Sequence, residues 1–306
     1  MSKHTIFTNS LSKEVYEQTY QYQDLNESID DTFLRVAKNL ASIEKDSEYW
    51  TEQFNDLFHN FSFLTGGRIT SNAGLGLKGT TYINCFVDGF TGMNQDSMEG
   101  ILDTLRRQAL ILKSEGGYGF CADVMRPRGA YIRGIANSSP GAVSMLDMWD
   151  TQSRVITQGS GKKSKKGKSK IRKGAQMVTM SIWHPDIEEF ITAKQTPNRL
   201  TKFNMSVLVT DKFMNAVIAD EDWDLIFPDY EAAIGTRYKQ KWNGNIEQWI
   251  QAELPIKVYK TVKARELWDL IMKSTYNRNE PGILFIDTIN RLNNLHYSEY
   301  ISATNP

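Results

Sequence analysis

Cysteine is scarce in this chain: only Cys85 and Cys121 occur in 306 residues, and they lack CxxC spacing. That excludes a disulfide scaffold, and four dispersed histidines, His4, His59, His184 and His296, supply no zinc-type cluster. No metal site is expected. Long apolar runs are missing too. Nothing approaches the roughly eighteen residues of a membrane span, and the opening MSKHTIFTNS lacks the apolar core of a signal peptide. The expectation is a cytoplasmic protein with no membrane partner. Net charge is absent, with 36 basic residues against 36 acidic ones. What is present, 40% hydrophobic and 24% charged residues, is the mixture of a folded globular chain, long enough for one large domain or two ordinary ones.

The zero balance hides an asymmetry. Lys162 to Lys173, KKSKKGKSKIRK, holds eight basic residues and no acid, which leaves 28 basic against 36 acidic elsewhere. So dense a lysine, glycine and serine run cannot bury a core, and it reads as a mobile basic loop. It can be a linker, but the patterns on either side argue for an insertion at 159–173 within one domain.

Before it, residues 11 to 61 carry apolar positions at helical spacing, Val15, Tyr16 and Tyr20, then Phe33, Val36, Ala37 and Leu40. Thr80 to Val87 is β-rich and predicts a strand beside a glycine-rich turn. Met98 to Leu112 predicts a helix, with Asp96 and Ser97 as N-terminal caps, and Met145 to Ile156 predicts another. Beyond the basic loop, strands are expected at Ala175 to Ile182, Phe203 to Thr210 and Gly282 to Asp287, the last buried on both faces. Helices opening at His184-Pro185-Asp186 and covering Ala264 to Asn277 alternate with them, the pattern of a parallel α/β sheet or barrel.

Chemistry is harder to read from these residues. Gly66-Gly67, Gly116-Gly117-Tyr118-Gly119 and Gly159 to Lys163 would let backbone amides approach an anion, but none has a phosphate-motif frame, and a tight turn is the simpler account. Cys85 and Cys121 read as buried, inert thiols. Arg126 and Arg133 flank a short loop and suit a nucleotide phosphate, although solvated surface arginines read equally well. The lysine loop suits nucleic-acid phosphates but holds no aromatic residue.

Taken in order, several longer stretches resemble the catalytic (large) subunit of ribonucleotide reductase. They are Gly66-Gly67-Arg68-Ile69 with Asn72-Ala73-Gly74, Asn84-Cys85-Phe86-Val87, Asp96-Ser97-Met98-Glu99-Gly100-Ile101, and Gly116-Gly117-Tyr118-Gly119-Phe120. Arg126-Pro127-Arg128-Gly129-Ala130-Tyr131-Ile132-Arg133-Gly134, Arg172-Lys173-Gly174-Ala175-Gln176 and Trp183-His184-Pro185-Asp186-Ile187-Glu188-Glu189-Phe190 continue the series. The resemblance runs from about residue 12 to the last residue. It implies a helical N-terminal region over residues 1–62, without an ATP-binding cone, and about half of a ten-stranded α/β barrel over 63–306.

The family reduces ribonucleotides by thiyl-radical chemistry. The resemblance places Cys85 at the first reducing cysteine, which overturns the inert reading, and Asn84 and Gly117 at substrate-contacting positions. It assigns Asp96, Arg126 and Arg133 to a specificity site for a deoxynucleotide or ATP effector, with Asp96 capping a helix of the dimer interface. Gln158 and Arg172 fall at the ends of the loop that links effector to substrate, here lengthened by lysines. Relatives continue Asn-x-Cys-x-Glu, with Cys as the radical carrier; Asn305 matches that asparagine, and the sequence stops at Pro306. The expectation is a fragment that needs the missing C-terminal part, whether through an incomplete record, a split gene or an intein site. Further expected partners are a ribonucleotide substrate, a second copy in a homodimer and a thioredoxin- or glutaredoxin-type reductant. The motif wording is closest to adenosylcobalamin-dependent members, and similar segments occur where a separate metal-containing subunit makes the radical. A non-catalytic nucleotide-sensing or nucleic-acid-binding protein using the lysine loop is the alternative.

Overall fold

A computed structural model describes residues 7–22, 24–89, 96–159, 175–233 and 236–306. The chain divides into two compact units: Met1–Asn84 with Ile111–Gly116 and Val155–Gly174, and Cys85–Leu110 with Gly117–Arg154 and Ala175–Pro306.

In the first unit the helical spacing becomes α1 (Ser10–Val15), a π-turn at Tyr16–Tyr20, α2 (Ile29–Ala41), α3 (Ser47–His59) and α4 (Gly67–Asn72). Helix α2 starts where it does because Ser28 and Asp31 close a reciprocal capping box. Its Phe33, Val36 and Ala37 pack with Phe58 and Ala73 into a small core. Beneath it lies a polar anchor. Arg35 gives Glu27 two parallel bonds of 2.9 and 2.8 Å, and Glu27 also accepts the Tyr22 amide at 2.9 Å.

The second unit is built on a five-stranded, wholly parallel sheet. In chain order it contains β1 (Cys85–Val87), α5 (Met98–Lys113), β2 (Gly117–Cys121), the short pair β3 (Tyr131–Ile132) and β4 (Asn137–Ser138), α6 (Ala142–Gly159) and β5 (Gln176–Ser181). There follow α7 (Ile187–Thr192), β6 (Phe203–Val209), α8 (Asp211–Ala219), β7 (Asp222–Pro228), α9 (Thr236–Lys241), α10 (Ile246–Gln251), β8 (Ile256–Lys263), α11 (Ala264–Arg278), β9 (Gly282–Phe285) and α12 (Ile286–Arg291). The sheet order is β1-β2-β5-β6-β9, so each strand pairs with the next one in the sheet's chain order. Helical crossovers make that possible, since parallel neighbours need long connections.

Three expectations are corrected. The strand read at Thr80 to Val87 is confined to Cys85–Val87, because its one partner among the described residues, β2, begins at Gly117 opposite Cys85. Strand β9 is not buried on both faces: it is an edge of the sheet, its residues are partly exposed and Phe285 is 45% exposed. The antiparallel hairpin β7–β8 was not foreseen, and it interrupts the parallel alternation between β6 and β9. Its Phe227 makes an edge-on contact with Trp242, which meets Trp183 in the same way, and its Trp223 makes a separate edge-on pair with Phe213. The basic run Lys162 to Lys173 lies outside the described residues.

Two outcomes follow for the helical unit. Glu27→Ala strands the buried Arg35 charge and should cost about 3–5 kcal/mol, read as faster hydrogen exchange of the α2 amides. Tyr16, whose hydroxyl lies 2.7 Å from that of Thr32, has its pKa pushed from 10.0 to about 12, first by burial. A phenol pKa raised by folding stabilises fully below the unfolded value and loses that contribution as pH climbs through the folded one. Exchange protection of α2 should therefore fall between pH 10 and 12, and Tyr16→Phe should flatten that fall.

Candidate active site

Strand β2 presents two different faces. Tyr118 and Phe120 alternate toward the helices, where the Tyr118 hydroxyl donates to Asp88 at 2.8 Å and Phe120 stacks on Trp149 with ring centres 5.1 Å apart. Gly117 and Gly119 alternate to the other side, and nothing but backbone stands there. The chain's last residues use that gap. A Cβ on Gly119 would overlap the Thr304 carbonyl and come within 3.0 Å of Asn305 Cα; one on Gly117 would lie 2.8 Å from Cys85 Sγ and 3.0 Å from Pro306 Cγ. The segment 304–306 thus lies along the glycine face, and the Cys85 thiol donates to the Pro306 carbonyl at 3.9 Å. Cys85, Gly117 and Asn305, three predicted site residues, are brought together here.

Asn84 belongs to the helical unit. Its Oδ1 accepts from the Arg68 amide at 3.4 Å and from Arg68 Nη1 at 3.3 Å, and Gly66 leaves room for its side chain. Cys121 shares the glycine face of β2 with Gly117, the partner of Cys85, but stands four positions further on. At about 3.3 Å per residue that is roughly 13 Å, too far for a disulfide with Cys85. Burial and then the Asp123 carboxylate push the Cys121 thiol well up, so it stays protonated.

Asp96 does not cap α5 with its side chain. Ser97 does, accepting the Gly100 amide at 3.1 Å, while Asp96 turns to Arg126. Its carboxylate accepts the Arg126 amide at 3.0 Å, Arg126 Nε at 2.7 Å and the Tyr238 hydroxyl at 2.8 Å. Burial pulls the Asp96 carboxyl up, and Arg126 with these donors opposes it. Burial is the largest influence on Arg126 and works against its charge, but Asp96 together with Tyr238 and Tyr230 outweighs it and raises the Arg126 pKa. Tyr230 covers the guanidinium, its ring centre 5.0 Å from the Arg126 carbon. Tyr238 and Tyr230 were missed by sequence reasoning, which had no signal for residues more than a hundred positions away.

Arg133 is exposed on the one-turn 3₁₀ helix between β3 and β4 and is not part of this pair. Gln158 lies in the last turn of α6, and Arg172 falls outside the described residues. His184 opens the turn before α7 as expected and is fully buried, its ring bonded to the Met125 carbonyl at 2.9 Å and to the Asp186 amide at 3.1 Å. At the carboxyl ends of the sheet strands, a cavity of about 310 Å³ is lined by Cys121, Asp123, Ser181, Thr210, Asn245 and Tyr300, none of them a predicted site residue.

A five-stranded parallel sheet with a thiol on its edge strand, facing a glycine strand that receives the 304–306 segment, places the chain in the parallel α/β class. The family comparison agrees: residues 83–306 match the ribonucleotide reductase barrel domain and residues 6–78 its all-alpha domain. The chain belongs to the ribonucleotide reductase large-subunit family. It is 31% identical over 96% of its length to a vitamin B12-dependent ribonucleoside-diphosphate reductase of Thermoplasma acidophilum, covering 33% of that protein. It is 31% identical over 92% of its length to the Mycobacterium tuberculosis protein of the same description, covering 35% of it. A ribonucleoside-diphosphate reductase large subunit of Dictyostelium discoideum is 33% identical over 72% of the chain, covering 24% of that protein. The chain therefore spans about a quarter to about a third of the length of these relatives. The non-catalytic alternative is not favoured. Among the described residues no helix is long and apolar enough to cross a membrane.

The glycine face makes a direct prediction. Gly119→Ala should lift the 304–306 segment off β2 and speed labelling of Cys85 by a thiol reagent several-fold, read by peptide mass spectrometry. Gly134→Ala, in open space, should leave the labelling rate unchanged.

Proposed function

We propose that this chain is the N-terminal part of a ribonucleotide reductase catalytic subunit and that, with the rest of the subunit, it converts ribonucleotides to deoxyribonucleotides by thiyl-radical chemistry. The observation that carries this reading is the contact of Cys85 with the segment ending at Pro306 across the glycine face of β2. In the family the residues that follow Asn305 include the radical cysteine, so the geometry suits delivery of that cysteine beside a reducing thiol. Cys85 and a second thiol from the remainder of the subunit would supply two electrons and two protons, leaving as a disulfide while the ribose hydroxyl leaves as water. Asn84, Gly117 and Asn305 would contact substrate. Neither cysteine of this chain matches the radical carrier, so turnover is expected only from the completed subunit.

In this reading residues 1–62 are the helical region, and 63–306 form the first half of a ten-stranded barrel. The two sheet edges, β1 and β9, suit pairing with a second half. Asp96, Arg126 and Arg133 would form the specificity site for a deoxynucleotide or ATP, and Gln158 and Arg172 the ends of the loop leading from it. A homodimer, a thioredoxin- or glutaredoxin-type reductant and a cytoplasmic location complete the proposal. The names of the first two relatives and the motif wording favour adenosylcobalamin as radical source. The 310 Å³ cavity is at the low end for a drug-sized ligand and is too small for a corrin.

The test supplies the chain with a polypeptide carrying the remaining C-terminal part and follows conversion of ribonucleoside di- and triphosphates with and without adenosylcobalamin. Turnover should require both parts and drop about a hundredfold in Cys85→Ser when reduction must pass through protein thiols. Assembled parts that bind deoxynucleotide but show no turnover, with either cobalamin or a metal-containing radical subunit, would overturn the reading.

A further inference from the structure

Every nitrogen of the Arg126 guanidinium is already engaged within the chain. Nε donates to Asp96 Oδ2 at 2.7 Å, Nη2 to the Asp96 carbonyl at 3.2 Å and Nη1 to the Tyr131 carbonyl at 3.4 Å. One face of the fork lies on Tyr230, whose own hydroxyl donates to the Tyr131 carbonyl. The second carboxylate oxygen of Asp96 is shared between Arg126 and the Tyr238 hydroxyl, which reaches it from α9 at 2.8 Å. Tyr238 in turn packs on Tyr230, Trp242 and Trp249, with ring centres 5.6, 6.4 and 5.9 Å away. These bonds take three of the five Arg126 N–H donors and most of the acceptor capacity of Asp96, so a phosphate or a ribose hydroxyl meets a pair already engaged and must compete for it.

We infer that Tyr238 is an internal competitor at the Asp96–Arg126 pair: its hydroxyl and the aromatic cluster behind it hold the pair shut, and a deoxynucleoside triphosphate binds only by displacing it. The inference rests on the proposal that these residues form the effector site, and it deepens that proposal by naming what the effector must displace. Its basis is the competition of one donor with another for a buried carboxylate, where a charge-assisted hydrogen bond is stronger than one between neutral groups. Burial, then the neighbouring carboxylate, pushes the Tyr238 phenol well up, so the hydroxyl remains a donor throughout the physiological range. Phenylalanine at this position keeps the ring stacking and removes only the competing donor.

The experiment is calorimetric titration of the 306-residue chain with each of the four deoxynucleoside triphosphates and ATP, using wild type, Tyr238→Phe and Arg126→Ala. Tyr238→Phe should bind its preferred nucleotide about tenfold more tightly, and Arg126→Ala should lose binding. Binding to Tyr238→Phe that is unchanged or weaker, with binding still lost in Arg126→Ala, overturns the competitor role and leaves the effector reading standing. Nucleotide binding that survives Arg126→Ala unchanged, or is absent from all three proteins, removes the effector reading and the inference together. A thermal melt of each variant, followed by circular dichroism, separates a folding defect from a loss of binding. Because Trp242 and Trp249 pack on Tyr238, saturating nucleotide should change the tryptophan fluorescence, and an unchanged spectrum on a nucleotide-bound protein counts against displacement.

Discussion

The second unit depends on one strand carrying buried aromatic rings on one face and, on the other, two glycines before Cys121. In β2, Tyr118 and Phe120 are fully buried toward the helices, while Gly117 and Gly119 leave the opposite face as bare backbone. Strands of parallel sheets ordinarily carry apolar side chains on both faces, and glycine inside a strand costs conformational entropy and packing. That cost is offset where another stretch of backbone must approach closely, as 304–306 does here. The aromatic face keeps β2 fixed while the other is bare at the two glycines: Phe120 stacks on Trp149, and the Tyr118 hydroxyl shares Asp88 with Arg107, which donates to the same carboxylate at 2.8 Å. Position of the Cys85 thiol follows from this arrangement, since β1 takes its register from β2.

Buried carboxylates organise the stretch between β2 and α6 in a similar way. A carboxylate removed from water needs donors, and Asp186 finds them in the backbone amides of Arg128, at 2.9 Å, and Ala142, at 2.7 Å, so that it holds one end of this loop and also caps α6. Asp96 ties the first end a second time, through the Arg126 amide. With both ends tied to acids, β3 and β4 project between them and leave Arg133 in solvent. The acids that read in sequence as helix caps or motif letters are thus the fixed points of a loop whose arginines have different fates: Arg126 half-buried in an ion pair with Asp96, Arg128 paired with Glu189 at the surface, and Arg133 exposed.

Much of the architecture is legible from apolar spacing. Helices α2, α3, α5, α6 and α11 and strands β5 and β6 fall within a few residues of where periodicity puts them, because their buried faces are long enough to show a period, whereas α4 lies in the glycine-rich stretch where apolar spacing predicts no helix. Short or edge elements fail for a physical reason. Thr80 to Asn84 has β-forming residues but no strand to pair with, and β9 has the composition of a central strand but lies at an edge. The hairpin β7–β8 is masked by its exposed lysines, Lys257, Lys260 and Lys263, which blur the alternation of β8. Of the candidate site, the glycines and Cys85 are visible as motif letters, but Cys85 alone reads as an inert thiol until its neighbours are known.

By itself the sequence determined the family, the parallel α/β class, the paucity of thiols and the identity of the residues able to carry chemistry, because motif order and hydrophobic period are properties of the chain alone. Tertiary structure decided which of those residues meet. Cys85 faces Gly117 and Pro306 because strand pairing brings together positions 32 apart and the final segment returns over them. Asp96 holds Arg126 and Tyr238 because α9 folds back across 142 residues to reach it. No local pattern encodes such contacts; they exist only once the sheet and its crossovers have closed.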